Sequence, residues 1–228
     1  MRVTNISFLL LGVLVSACSD ASRIDQPVVG RLSWFAYLGG EDIRDSCKPG
    51  MPARYRFVYN AVLDEQIRSY DLVRTPTGAT LRTRVQRAGF ALVDFRSDAA
   101  DPWNARRMAD ATLDIPAYLA IARQLEADGF GGPTHAGRNF PSWNHYWVVS
   151  ACADGKFHIN GWLNGIPGFA ELRFPALLFA QDNTEIPVNP VSVNPYADHL
   201  TRTRLKEIDM NFDIQLVPDG LAHQIRLF

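Results

Sequence analysis

The chain has 228 residues, 47% hydrophobic and 21% charged, and its 23 basic and 24 acidic side chains give a formal net charge of −1. A chain of this length buries roughly 70% of its unfolded surface, enough for one domain without a structural metal. The near-neutral balance excludes the basic excess by which proteins gather non-specifically on nucleic acid or anionic lipid.

Taken in order, the chain opens with Arg2 and an apolar run from Ile6 to Val15. That run falls short of the roughly 20 apolar residues a membrane-spanning helix needs, and small residues follow it, which is the pattern of a secretory signal. The small residues end in Val15-Ser16-Ala17-Cys18. This stretch resembles the lipobox of bacterial lipoproteins. The resemblance covers the signal segment alone and implies a diacylglyceryl group on the Cys18 thiol, with cleavage between Ala17 and Cys18. Ser19, and not an aspartate, follows the cysteine, which within that family points to the outer membrane, facing the periplasm. Cleavage leaves 211 residues (228 − 17). Residues 1–17 are thus expected to be a signal peptide, 18–27 a lipid-anchored tether and 28–228 one globular domain.

Cys47 and Cys152 are the two remaining cysteines. In an oxidising compartment the natural expectation is a disulfide between them, two free thiols being the alternative. The bridge would close a loop of about 100 residues, a length for which chain entropy contributes up to about 4.7 kcal/mol.

Alternation of Leu32, Trp34, Ala36 and Leu38 predicts a strand over Arg31–Leu38, followed by an acidic turn at Glu41–Asp45 whose spacing does not match a calcium loop. Strands are predicted over Tyr55–Val62, with Tyr55, Phe57, Tyr59 and Ala61 on one face, over Ile67–Val73, and over Thr80–Gln86 after the Thr75-Pro76-Thr77-Gly78 turn. Phe90–Phe95 forms a further short run. Short connections between consecutive strands imply an antiparallel meander. The clearest helix starts at Asp114 as N-cap, tolerates Pro116 in its first turn, places Ile115, Tyr118, Leu119, Ala122 and Leu125 on one face, and stops at Gly129. A glycine- and proline-rich loop then runs from Gly129 to Ser142.

Trp143–Leu163 reads as a hairpin about a type I′ turn at Asp154-Gly155. That register pairs Cys152 with Phe157, Ser150 with Ile159 and Tyr146 with Leu163 on a face expected toward the core. It pairs Ala151 with His158, Val149 with Asn160 and Trp147 with Trp162 on the opposite face. A strand is predicted over Ala170–Phe174, a short helix over Pro175–Gln181, an extended proline-bearing segment over Ile186–Tyr196, a weak helix over Leu200–Ile208, and a closing hairpin about Pro218-Asp219-Gly220. The fold class expected is α+β, mainly antiparallel sheet with one principal packed helix.

Motifs for metalloprotease, phosphate-loop, paired-cysteine or nucleophile-elbow chemistry are absent from the sequence, so no cofactor or metal is expected. The histidines are His135, His145, His158, His199 and His223. An Asp198-His199 pair with Ser150 would compose a hydrolytic triad only if geometry assembled it. Trp143, His145, Trp147, Asn160 and Trp162 on one hairpin face, with His135, Arg138 and Asn139 on the adjoining loop, offer aromatic planes and directed hydrogen-bond donors suited to a sugar ring or a peptide. The competing expectation is that the helix from Ile115 packs on this face and buries it. The functional expectation is an anchored, non-catalytic envelope protein that binds a protein or glycan partner and no nucleic acid. The alternative is a periplasmic hydrolase using His135, His145 or His199.

Overall fold

In the computed structural model the described residues are 34–63, 65–87, 108–205, 211–218 and 220–226. The leader, the tether and the Phe90–Phe95 run fall outside them. The elements in order are α1 (Glu41–Ser46), β1 (Arg54–Ala61), β2 (Gln66–Thr75), β3 (Gly78–Arg87), β4 (Met108–Asp114), α2 (Ile115–Ala127), β5 (Asn139–Pro141), β6 (His145–Ala153), β7 (Lys156–Leu163), α3 (Phe174–Phe179), α4 (Pro195–Arg204), β8 (Asn211–Val217) and β9 (Gly220–Arg226). The fold is α+β. A six-stranded antiparallel sheet runs β4-β3-β2-β1-β6-β7, and a second sheet runs β5-β8-β9.

One face of the six-stranded sheet is core along its central strands, and the other carries a second core chiefly where β6, β7 and Val58 of β1 offer apolar residues. On β1, Tyr55, Phe57, Tyr59 and Ala61 join Tyr70, Leu72, Trp147, Val149 and Trp162 in one core, which α2 and α3 close with Tyr118, Ile121, Leu125, Phe174 and Leu178. Val58, Tyr146, Val148 and Ile159 point the other way into a second core with Trp34, Leu38, Phe140, Phe212, Ile214 and Leu216. The second sheet and the first described turn of chain therefore pack on the face opposite α2.

The β6–β7 register agrees with the sequence reading pair for pair, from Tyr146 opposite Leu163 to Cys152 opposite Phe157. Asp154 and Gly155 take φ values of 51° and 73°, the two left-handed residues of a type I′ turn. Gly155 is needed twice over, since a Cβ there would come within 2.5 Å of the Pro49 backbone nitrogen. Asp114 caps α2 by accepting from the Ala117 N–H at 2.8 Å. The helix buries Tyr118, Ile121 and Leu125, whereas Ile115 in its first turn is 48% exposed. A Cys47–Cys152 disulfide joins the end of α1 to β6 across a sequence separation of 105.

Four expectations are corrected. Residues 34–38 are helical. Trp34, Phe35, Ala36, Tyr37 and Leu38 are all buried, and an all-apolar run satisfies a helix or a strand equally. The acidic stretch is the short helix α1 and not a turn. Residues 170–173 are turn and irregular chain in place of a strand, and Phe174 already opens α3. Within the glycine-rich loop, Asn139–Pro141 pairs with β8.

Candidate functional site

A row of alternating charge crosses four strands on the face shared with Tyr37 and α1. Arg56 on β1 stands opposite Asp71 on β2, Asp71 opposite Arg82 on β3, and Arg82 opposite Asp110 on β4. Arg54 and Arg84 flank the row two residues along their strands. Each of these positions lies on the side of the pleat away from Tyr70 and Leu72, so the strands carry charge on one face and core on the other.

Asp71 is the centre. Its Oδ1 accepts from Arg56 Nε at 2.9 Å, and its Oδ2 accepts from Arg84 at 2.8 Å and from the Tyr37 hydroxyl at 2.9 Å. Arg56 also donates two bonds to the Asp42 carboxylate, at 2.7 and 3.0 Å, and one to the Tyr37 carbonyl at 3.1 Å. Its guanidinium lies 3.7 Å from the centroid of the Tyr37 ring. Every charge is thus answered, as a buried guanidinium and carboxylate require. Burial works against the Asp71 carboxylate, but the guanidinium groups of Arg56, Arg84 and Arg54 outweigh it and hold its pKa below the usual carboxylate range. Burial, with Asp71 adding to it, pushes the Tyr37 hydroxyl up to about 12.

Above this row lies a cleft of about 1090 Å³, walled by Tyr37, Glu41, Asp42 and Asp45 on one side and floored by strand residues including Arg54, Arg82, Arg84, Thr80 and Thr112. Arg82 is partly exposed and binds Asp110 through Nε and Nη2 at 2.9 and 3.1 Å. The helical wall is seated by Gly40. Its φ of 67° suits glycine, and a Cβ there would meet Ser150 Cβ at 2.5 Å. Among the described residues no group of three or more His, Cys, Asp or Glu side chains is placed to hold a metal ion, and Asp42 of α1 faces arginines instead.

The aromatic residues singled out in the sequence do not form an open platform. Trp147 and Trp162 are 2% and 4% exposed, lying under Phe174 of α3. Trp147 also stacks on Tyr59 at 4.7 Å. The physical reason is the layer above them: α2 and α3 pack their apolar residues on this face of β6 and β7. The loop residues seal the outer edge of β7. His135 Nδ1 donates to the Gly161 carbonyl at 2.7 Å, Asn160 Oδ1 accepts from the His135 N–H at 3.1 Å, and His158 Nε2 donates to the Phe130 carbonyl at 2.7 Å. Asn139 is exposed on β5 and Arg138 half-buried before it. Trp143, half-buried, stacks on His199 of α4 at 5.5 Å.

His145 is buried with both ring nitrogens occupied. Nε2 accepts from the Ser192 N–H at 3.0 Å, so the proton sits on Nδ1, 3.2 Å from the Tyr59 hydroxyl oxygen. Burial, assisted by Arg202 and opposed by Asp198, lowers its pKa to about 4. The imidazole pins the proline-bearing segment to the sheet. Arg68 pins it further along, donating to the Asp182 carboxylate and the Ile186 carbonyl. The triad does not assemble. Ser150 is 1% exposed under Gly40, and Asp198 accepts from the Ser192 hydroxyl at 2.5 Å. No protein family, characterised protein or solved structure shows significant similarity to the chain.

The cleft was not found from the sequence because its members come from four strands and a helix. The available signal was charge at alternate positions, Arg54 and Arg56 on one strand and Arg82 and Arg84 on another, where a sheet face buried by apolar contacts would carry none.

Proposed function

We propose that the protein is a lipid-anchored component of the bacterial cell envelope, held by acylated Cys18 in the outer membrane and facing the periplasm, which binds a partner through the charged cleft instead of catalysing a reaction. The anchor is supported by the Val15–Cys18 motif and by the pairing of the other two cysteines, which suits an oxidising compartment. The binding role is carried by one observation: a cleft of about 1090 Å³ whose floor alternates arginine with aspartate and whose helical wall is carboxylate. Such a surface suits a protein segment bearing both signs of charge better than a neutral glycan, because charge pairs across an interface fix orientation and partner choice. The hydrogen bonds that His135 and His145 make within the fold support the binding reading over the hydrolase alternative.

The anchor is tested by radioactive palmitate. The expected result is labelling of the wild type and none of Cys18→Ser; labelling that survives the substitution overturns it. Binding is tested by a photo-crosslinking residue at Thr112, which is exposed in the cleft. The expected result is capture of one protein in intact cells that is lost in Arg82→Glu; capture unchanged by that substitution overturns the cleft as the site.

A further inference from the structure

The first half of α4 carries apolar side chains outward. Tyr196, Ala197 and Leu200 share one side of the helix, with Arg204 one turn beyond, and Val193 stands immediately before the Asn194 cap. Val193 is 102% exposed, Tyr196 55% and Leu200 39%. The helix is held from its other side, where His199 is buried against Trp143. Asp198 is turned away from the stripe and satisfied by Ser192. Arg202, also off the stripe, is paired with Glu65 at 2.8 Å. Among the described residues the stripe therefore holds aliphatic and aromatic groups and one exposed cation, with no carboxylate.

The chain itself points to what meets this stripe. The first described residues pack close by: Phe35 meets the Phe212 ring at 5.0 Å, the Phe212 N–H donates to Ser142 Oγ at 3.1 Å, and the next residue, Trp143, meets Tyr196 at 5.4 Å. From Cys18 to Trp34 is 16 residues (34 − 18), which span at most about 55 Å. The described chain begins at Trp34, its next residue linked to the stripe through these contacts, and an anchor at Cys18 can bring the stripe to the bilayer within that reach. Tyrosine and tryptophan favour the boundary between headgroups and acyl chains, and arginine favours the phosphates above it.

We infer that the Val193–Leu200 stripe of α4 is a membrane-docking surface that lies on the same bilayer as the acylated Cys18. This rests on the anchored reading and adds a second contact, which fixes how the domain stands on the membrane. A bilayer contact supplements the acyl chains and sets orientation, where the chains alone leave it free.

The test uses the full acylated chain in vesicles of phosphatidylethanolamine with a minority of phosphatidylglycerol. Acylated Cys18 and the Cys47–Cys152 bridge leave an introduced thiol as the labelling site. Nitroxides are placed at Val193→Cys, Leu200→Cys and, as control, Met51→Cys. Met51 is 51% exposed and precedes Arg54, which stands opposite Cys152 at the far end of β6 from Trp143. The expected result is that oxygen relaxes the labels at 193 and 200 more than a water-soluble nickel chelate does, with the order reversed at 51. In the background Tyr196→Asp with Leu200→Asp, the label at 193 should shift to the behaviour of 51. Nickel dominance at all three sites in acylated protein overturns the docking, as does crosslinking of position 200 to a protein in cells while vesicle-bound protein remains nickel-accessible there. The mass of the Cys18 peptide reads acylation separately. Loss of the acyl group overturns the anchor and the docking together, while an acylated but undocked chain overturns the docking alone.

Discussion

Arg56 and Asp71 stand opposite each other on β1 and β2, Nε to Oδ1 at 2.9 Å, both almost wholly buried. The pair is the hinge between the sheet and α1, because the same guanidinium grips Asp42 with its other two nitrogens. Asp71→Asn removes the charge that answers Arg56, Arg84 and Arg54 together. Breaking a buried pair from one side costs about 3–5 kcal/mol. Denaturant unfolding of the variant should show a loss of that size; a loss below about 1 kcal/mol, the value of an exposed pair, would contradict the burial argument.

The disulfide holds α1 against β6 beside the cleft. Replacing Cys47 and Cys152 by alanine should cost about 2–5 kcal/mol. It should also loosen Asp42 from Arg56, read as faster amide exchange over residues 41–46 than over β1. Equal exchange in oxidised and disulfide-free protein would show that α1 is held by the ion pairs alone.

The pH dependence separates into two windows. His145 has its folded pKa lowered from 6.5 to about 4, so between these values the unfolded chain takes up a proton that the native state refuses. Stability therefore falls as pH drops from about 6.5 to about 4, and His199, shifted down chiefly by burial, adds to the fall below its ordinary 6.5. Asp71 and Asp42 have pKa values below the ordinary 3.8, so their contribution is present above that value and is lost at more acid pH. In His145→Gln the slope between pH 6.5 and 4 should shrink while the loss at more acid pH persists. An unchanged slope would contradict the assignment.

Trp147 lies in the core and not on a binding surface. Trp147→Ala should cost about 3–5 kcal/mol, the range for truncating a buried aromatic. A variant with wild-type stability would restore the exposed-platform reading.

Tyr146 is fully buried, and its hydroxyl has no hydrogen-bond partner among the described residues. An unmatched buried hydroxyl costs about 1–3 kcal/mol, so Tyr146→Phe should be neutral or stabilising by about 1 kcal/mol in thermal unfolding. Destabilisation would mean that the hydroxyl is satisfied.

What the sequence disclosed and what it hid follow from locality. Asp154-Gly155 dictated its hairpin and every pairing along it, because two left-handed residues admit one register. Asp114 with Pro116 announced α2 for a similarly local reason. The segment at 34–38 misled because period two can be picked out of any unbroken apolar run. Trp147 and Trp162 were legible as a cross-strand pair, but whether their face is open depends on α3, which no local pattern reports. The cleft was the least legible, since Arg56, Asp71, Arg82 and Asp110 meet only after four strands have paired.

Hairpin tips are usually where a protein forgives cuts and insertions. The Asp154-Gly155 tip is braced against Pro49, two residues after Cys47, so a tag or linker spliced there would pry at the crosslinked corner of the molecule. The bend at Gly165 has no neighbour within 4 Å of where a side-chain carbon would stand, so a reporter inserted beside that glycine, kept for its φ of 85°, is the better graft.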